Sequence, residues 1–290
     1  MSAATPTARL RALLGGGDSL LLMPCCFDGL SARLIEQAGF PLTFMSGFSV
    51  AATRWALPDT GLVTVTEMID QARAITSAVS IPVMGDGDTG HGNPANIQRT
   101  VEGYARAGLA GIMIEDQVAP KRCGHTGVKE VVDRDEALRR MRATCDARDA
   151  GADLVVVART DARSAIGLDE ALWRMQAFAD LGADILFLEA PRDEAEMERF
   201  CREVPGIHMA NMLEDGITPV LSPSRLAEIG YRIVAYPLTL LATAVCAMQS
   251  ALRDLAAGRT PRARASFAEI RQLVGFDVYD ALLARYERPR

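Results

Sequence analysis

Short, nearly continuous apolar runs alternate with amphipathic stretches from one end of the chain to the other. Eight runs read as strands: Leu20–Cys25, Leu42–Ser46, Val83–Asp86, Gly111–Glu115, Leu154–Arg159, Ile185–Glu189, His208–Asn211 and Ile233–Tyr236. Runs apolar on both faces fit a parallel sheet covered on both sides. Between them, helical periodicity predicts Ser31–Ala38, Thr66–Val79, Asn96–Ala107, Arg134–Ala150, Leu168–Leu181, Glu194–Val204 and Pro223–Ile229. Three junctions repeat one phrase, in which a helix ends at Gly108, Gly151 or Gly182 and a buried strand follows almost at once. Glycine at a helix C-terminus followed by an apolar run is the signature of an αβ turn. Eight such units predict an α/β fold, a (β/α)8 TIM barrel, ahead of an open doubly wound sheet. No glycine-rich dinucleotide fingerprint follows the first strand, which weighs further against the open sheet. After the eighth strand, Leu238–Ala257 and Phe267–Tyr286 read as extra C-terminal helices. The expectation is one barrel domain over 1–290, with 258–290 a helical extension.

At 290 residues and 49% hydrophobic, the chain has ample material for one barrel core. No apolar run reaches the ~20 residues that span a bilayer. The first residues lack a secretory apolar region, so a cytoplasmic address and no membrane partner are expected. The net charge of −6 is spread along the chain without a basic stripe, which excludes an ordinary nucleic-acid partner. The six cysteines show no zinc-like pairing. Five of them, Cys25, Cys26, Cys145, Cys201 and Cys246, sit in apolar strand or helix patterns and read as buried small hydrophobes. Cys123 differs, standing between Lys121-Arg122 and Gly124-His125.

Barrel enzymes carry their chemistry at the carboxyl ends of the strands, and those ends are polar here. The third strand ends in Asp86-Gly87-Asp88-Thr89-Gly90-His91-Gly92, the fourth in Glu115-Asp116, the fifth in Arg159-Thr160-Asp161 and the sixth in Glu189. Asp86, Asp88 and Glu115 converging on one point would repel unless a cation neutralises them. Hard oxygen ligands favour magnesium, with manganese as the alternative. The glycines at 85, 87, 90 and 92 are expected to let backbone and ligand approach closely. Arg159 follows Val155-Val156-Val157-Ala158, where an unpaired guanidinium is costly. It calls for an acid, with Glu189 as the structural candidate, or for a substrate carboxylate. The cations around Cys123 favour its thiolate.

On these residues the sequence resembles the isocitrate lyase and phosphoenolpyruvate mutase superfamily. A lyase signature, Lys-Lys/Arg-Cys-Gly-His, stands at Lys121 to His125, and a metal motif at Asp86 to Gly92. The resemblance implies a carbon–carbon lyase in which Asp86 binds magnesium directly, with Asp59, Asp88 and Glu115 acting through waters. It implies that Ser46, Gly47 and Phe48 bind the substrate carboxylate. Arg159 would grip the group beside the cleaved bond, and Glu189, Asn211, Gly124 and Pro237 would complete the pocket. Cys123 would protonate the departing carbanion, tuned by Lys121 and His125. It also implies a homotetramer, a dimer of dimers, with C-terminal helices exchanged between subunits.

The chain length resembles the compact 2-methylisocitrate and 2,3-dimethylmalate lyases. Methylisocitrate lyases tend to carry Arg-Pro-Asn-Lys where this chain has Thr126-Gly127-Val128-Lys129. The missing arginine favours a substituted malate over a tricarboxylate. Related oxaloacetate hydrolases commonly have serine at the place of Pro237, which has no N–H or hydroxyl to donate. An oxaloacetate hydrolase or decarboxylase is therefore the alternative, and a barrel that binds a small acid without turning it over is the alternative of another class.

Overall fold

The computed structural model describes residues 4–17, 19–121 and 129–287. Its first compact unit, Met1–Thr239, contains a closed barrel in which every strand pairs in parallel with its sequence neighbours. The strands are β1 (Leu21–Cys26), β2 (Thr43–Met45), β3 (Val83–Asp86), β4 (Gly111–Glu115), β5 (Val155–Thr160), β6 (Ile185–Leu188), β7 (Ile207–Asn211) and β8 (Ile233–Tyr236). Pairing of β1 with β8 closes the ring. All eight predicted strands are present, with ends displaced by at most a residue. The register sets Glu115 of β4 beside Arg159 of β5, which puts an acid and a base at one height on neighbouring strands.

The helices are α1 (Pro6–Gly15), α2 (Gly29–Gln37), α3 (Gly47–Trp55), α4 (Val65–Thr76), α5 (Pro94–Arg106), α6 (Arg134–Asp149), α7 (Ala162–Ala165), α8 (Leu168–Asp180), α9 (Glu194–Glu203) and α10 (Pro223–Ile229). Their starts follow from local chemistry. Thr64 and Glu67 form a reciprocal capping box on α4, and Asn93 caps α5 just before Pro94 at its first turn. The three glycine turns adopt φ values of 85°, 117° and 94° at Gly108, Gly151 and Gly182, in the region that penalises a Cβ.

Three helices were not expected from the sequence, the single turn α7 and two longer ones. One is α1, whose Leu10 is buried with the core inside the barrel. Its Thr7 hydroxyl donates to the Asp153 carbonyl (2.7 Å), and Arg232 donates to the Leu13 carbonyl (2.6 Å). Both anchors lie just before strands β5 and β8, so α1 lies at the amino-terminal end of the ring. The other is α3, which begins at Gly47, directly after the predicted end of the second strand at Ser46. The barrel is filled by Met23, Phe44, Met84, Met113, Val155, Val157, Ile185, Phe187, Met209 and Ile233. It is a packed core and not a pore.

The second unit, Leu240–Arg290, takes in most of α11 (Thr239–Ala256) and the helices α12 (Phe267–Leu273) and α13 (Phe276–Glu287). The single helix expected over Phe267–Tyr286 is thus two, because Gly275 takes φ 87° and ends the first. Arg271 lies 4.0 Å from the centre of the Phe276 ring across that break. Along α11, Val245, Met248, Leu252 and Leu255 are exposed. Cys246 is exposed and Cys201 half-buried, so the expectation of burial holds only for Cys25, Cys26 and Cys145.

Among the described residues no helix is long and apolar enough to cross a membrane.

Helix α5 fixes the carboxyl end of β3 through one bond. Tyr104 is fully buried, and its hydroxyl donates to the carbonyl of Asp86 at 2.6 Å. Replacing Tyr104 by Phe leaves that carbonyl without its donor and is expected to cost about 1–3 kcal/mol. Urea unfolding of the variant against the parent measures the loss.

Candidate active site

The carboxyl ends of the strands surround a cavity of about 80 Å³, room for several waters or a small organic acid. Its polar lining comprises Ser46, Asp59, Asp86, Arg159, Glu189 and Asn211. Its apolar lining includes Phe44, Phe48, Met113, Phe187, Leu213 and Pro237. A small set of polar groups within an apolar wall is the usual composition of a small-molecule site.

On one side stand the aspartates. Asp86 is the last residue of β3, and its carboxylate accepts from the Asp88 N–H at 3.0 Å. Asp88 turns out of the strand with φ 50°. The two carboxylates are therefore brought together by a turn and not by alternation along an extended strand. Lys121 is 4% exposed and places its Nζ 2.8 Å from Asp59, 2.6 Å from Asp88 and 3.7 Å from Asp86. This contact with the aspartates was not foreseen from the sequence. The charge balance is visible in the acids. Burial, aided by the charges of Asp86 and Asp59, pushes Asp88 up to about 7, although Lys121 pulls the other way. Burial also opposes ionisation of Asp86, but Lys121 and then Arg159 hold it below the ordinary carboxylate range.

The glycines do something different from what their spacing suggests. A Cβ on Gly87 would meet the Met113 carbonyl at 2.7 Å, so this glycine admits the neighbouring strand and not a ligand. A Cβ on Gly47 would come within 2.5 Å of Asp86 Oδ2. Gly47 opens α3 directly after Ser46, the N-cap, whose hydroxyl accepts from the Ser49 N–H. The lack of a side chain at this point brings the amino end of a helix, with its outward-pointing N–H groups, against the Asp86 carboxylate.

On the opposite side stands Arg159. The expected structural partner, Glu189, lies 3.9 Å away, whereas Asp161 takes the guanidinium in two bonds, Nε at 2.9 Å and Nη2 at 3.0 Å. Glu115 adds a contact at 3.3 Å. Lys129 meets Asp161 at 3.1 Å, with both side chains buried. Asp161 also donates its N–H to Asp116, which accepts from Thr160 and from Arg174. Burial pushes Glu115 well above its ordinary range, with Arg159 as the main opposing influence. Its Oε1 is buried and has no hydrogen bond among the described residues.

The donor set fits a hard divalent cation. Asp59, Asp86, Asp88 and Glu115 offer only oxygen, are shielded from bulk water, and include the orphaned Glu115 Oε1. Among the described residues no three acids, histidines or cysteines close to direct-coordination geometry.

Of the residues singled out in the sequence, Ser46, Phe48, Asp59, Asp86, Arg159, Glu189, Asn211 and Pro237 line one cavity. Gly47, Asp88, Glu115 and Lys121 lie directly behind it through the contacts above. Cys123, Gly124 and His125 fall outside the described residues. Sequence reasoning missed Asp161, Lys129 and Asp116 as members of the charge system. The clue available for Asp161 was its place two residues after a buried arginine. It also missed Cys25, which lines the cavity but whose thiol is pushed up strongly by burial and is therefore no thiolate.

The phosphoenolpyruvate phosphomutase family model matches residues 10–256. The chain is 40% identical over 275 residues to a 2,3-dimethylmalate lyase of Eubacterium barkeri, covering 93% of this chain and 94% of that protein. It is 44% identical over 257 residues to a probable 2-methylisocitrate lyase of Corynebacterium glutamicum, covering 88% and 83%. Among solved structures, 2,3-dimethylmalate lyase, a member of the PEP mutase/isocitrate lyase superfamily, superposes with a TM-score of 0.93 at 36% identity over 99% and 97% of the two chains. Oxaloacetate acetylhydrolase bound to 3,3-difluorooxalacetate gives 0.94 at 32% identity over 99% of each. A phosphonopyruvate hydrolase complex with oxalate and magnesium gives 0.85 at 30% identity over 98% and 100%.

Removing the Lys121 ammonium strands three acids in a dry site. Lys121→Met is expected to destabilise the metal-free protein by about 3–5 kcal/mol at pH 8. The sign with pH follows from Asp88. A carboxyl whose folded pKa is raised from 3.8 to about 7 binds its proton more tightly in the native state, so stability falls as pH rises through that window. The loss in Lys121→Met should therefore be smaller at pH 5, where protonation relieves the acids. Thermal unfolding of both proteins at the two pH values checks this.

Proposed function

The chain belongs to the phosphoenolpyruvate phosphomutase family and is a lyase of the isocitrate lyase/PEP mutase superfamily, and from that premise we propose that it cleaves a substituted malate, with magnesium bound, into a 2-oxo acid and a second carboxylic acid. The observation that carries this reading is the lining of the cavity. Among the described residues Arg159 is its one cationic side chain, and much of the remaining wall is apolar. A dicarboxylate with alkyl substituents matches one guanidinium, one metal-assisted carboxylate site and an apolar wall. Among the described residues, a third carboxylate would meet no further cation in the lining.

Asp86 would hold the ion directly, with Asp59, Asp88 and Glu115 acting through waters, and when bound it would supply Lewis-acid stabilisation of the oxyanion that develops during cleavage. Ser46 and the N–H groups of Gly47 and Phe48 bind the adjacent carboxylate, since a helix N-terminus is suited to an anion. Arg159 grips the substrate oxygen beside the bond that breaks, and Glu189 and Asn211 orient it. Glu189 takes the hydroxyl proton as the carbon–carbon bond breaks, and the departing carbon keeps the electron pair. Cys123, tuned by His125 and Lys121, returns a proton to that carbon. The apolar wall keeps bulk water from that carbanion.

Hydrolysis of oxaloacetate is the second reading, favoured by the close superposition on oxaloacetate acetylhydrolase. Pro237 in the cavity wall weighs against it, because proline cannot donate a hydrogen bond to the substrate. The exposed apolar residues of α11 support a homotetramer with C-terminal helices exchanged between subunits.

A panel of 2,3-dimethylmalate, citramalate, 2-methylisocitrate, isocitrate and oxaloacetate, assayed for 2-oxo-acid and acetate release with magnesium, tests the reading. Oxo-acid release is expected from a substituted malate, abolished by a chelator and restored by magnesium. Consumption of oxaloacetate alone, with acetate and oxalate as products, would replace lyase by hydrolase.

A further inference from the structure

Arg159 sits among more acid than it needs for neutrality, and its strongest partner never reaches the cavity. Asp161 is 0% exposed and is not among the residues that line the cavity. Yet it is the residue that takes two edges of the guanidinium, at 2.9 and 3.0 Å, while Glu115 and Glu189 stand farther off at 3.3 and 3.9 Å. Two parallel bonds to a planar guanidinium fix its rotation as well as its place. Nη1 is the edge Asp161 does not engage.

Asp161 is itself held from three directions. Lys129 neutralises it at 3.1 Å, Asp116 accepts its backbone N–H at 2.9 Å, and α7 begins at it as N-cap without a side-chain capping bond. Its carboxylate is thus spent on Arg159 and Lys129 and not on its own helix. Asp116 is in turn pinned by Thr160 at 2.6 Å and Arg174 at 3.0 Å. A bare guanidinium on β5 would have a choice among Glu115, Glu189 and the bound substrate. A preformed clamp removes that choice before substrate arrives, which lowers the reorganisation needed on binding.

We infer that Asp161, backed by Lys129, is a positioning residue that fixes the orientation of Arg159 for the substrate oxygen, so that both act on the ligand only through that guanidinium. This rests on the proposed role of Arg159 as the substrate grip. The consequence is a specific non-additivity. A misplaced positioning group costs on the order of 100-fold in kcat/KM, and Asp161→Asn is expected to lose about that much. The same substitution made in an Arg159→Lys background should lose almost nothing further, because the group it positions is already gone.

The cycle is read in two ways on the full-length protein with magnesium. One is kcat/KM with whichever hydroxy acid is turned over. The other is calorimetric binding of oxalate, which needs no turnover. Non-additive losses in either sustain the inference. Wild-type oxalate affinity in Asp161→Asn, or losses that multiply in the double variant, overturn it. Failure of the wild type to cleave any hydroxy acid would sink the lyase reading while leaving the oxalate cycle decisive for Asp161. A crystal structure of Asp161→Asn gives a readout without any ligand: a guanidinium turned toward Glu115 or Glu189 sustains the clamp, and one left unmoved overturns it. Should Asp161→Asn fail to fold, Lys129→Met carries the same cycle with a smaller expected loss, and unchanged oxalate affinity there counts against the inference.

Discussion

Six acids, Asp59, Asp86, Asp88, Glu115, Asp161 and Glu189, are gathered at the carboxyl end of this barrel and largely removed from water. Their mutual repulsion in a poor dielectric is the constraint on which the rest of the site depends. Three cations among the described residues answer it, one of them Lys129, which pairs with Asp161. Lys121 serves the aspartates, and Arg159 serves Glu115, Asp161 and Glu189. Neither of these two satisfies its whole group, as the orphaned Glu115 Oε1 and the raised Asp88 indicate. The surplus negative charge would favour a divalent ion, and in the proposed function the remaining capacity of Arg159 would meet the substrate anion.

The barrel supplies the rigidity this demands. Glu115 and Arg159 are register partners on adjacent strands, so their approach is set by backbone pairing and not by flexible side chains. Tyr104 ties α5 to the end of β3, and Gly47 lets the start of α3 close on Asp86. The second charge system behind the first, Asp116 with Arg174 and Thr160, is paired throughout and does not line that cavity. It serves to hold the ends of β4 and β5 at a fixed spacing. The division of labour is physical: paired buried ions give specificity of position, while partly paired ones provide the binding capacity.

Much of this was legible in one dimension. Eight apolar runs and three glycine turns identify the barrel because strand burial on both faces and αβ turning leave local marks. Asp86, Asp88, Glu115, Arg159 and Glu189 could be marked because a charge at the end of an apolar run has few innocent explanations. What was not legible has equally physical causes. Helix α3 hides at the end of β2 because Ser46-Gly47 reads as a turn, and nothing in sequence says that the missing Cβ at Gly47 admits a carboxylate from β3. The glycines after β3 looked like ligand-approach positions, but Gly87 makes room for the neighbouring strand.

The sequence by itself thus determined the α/β periodicity, the count of strands and the chemical identity of the groups at their ends, because each is encoded in a residue and its near neighbours. Only the tertiary structure decided the partners. Asp59 and Lys121 are 62 residues apart, and their meeting depends on barrel closure. The choice of Asp161 over Glu189 by Arg159 depends on the turn after β5 and on Lys129 arriving from another loop. Electrostatic pairing is a function of distance in space, and distance in space is what a linear pattern does not carry.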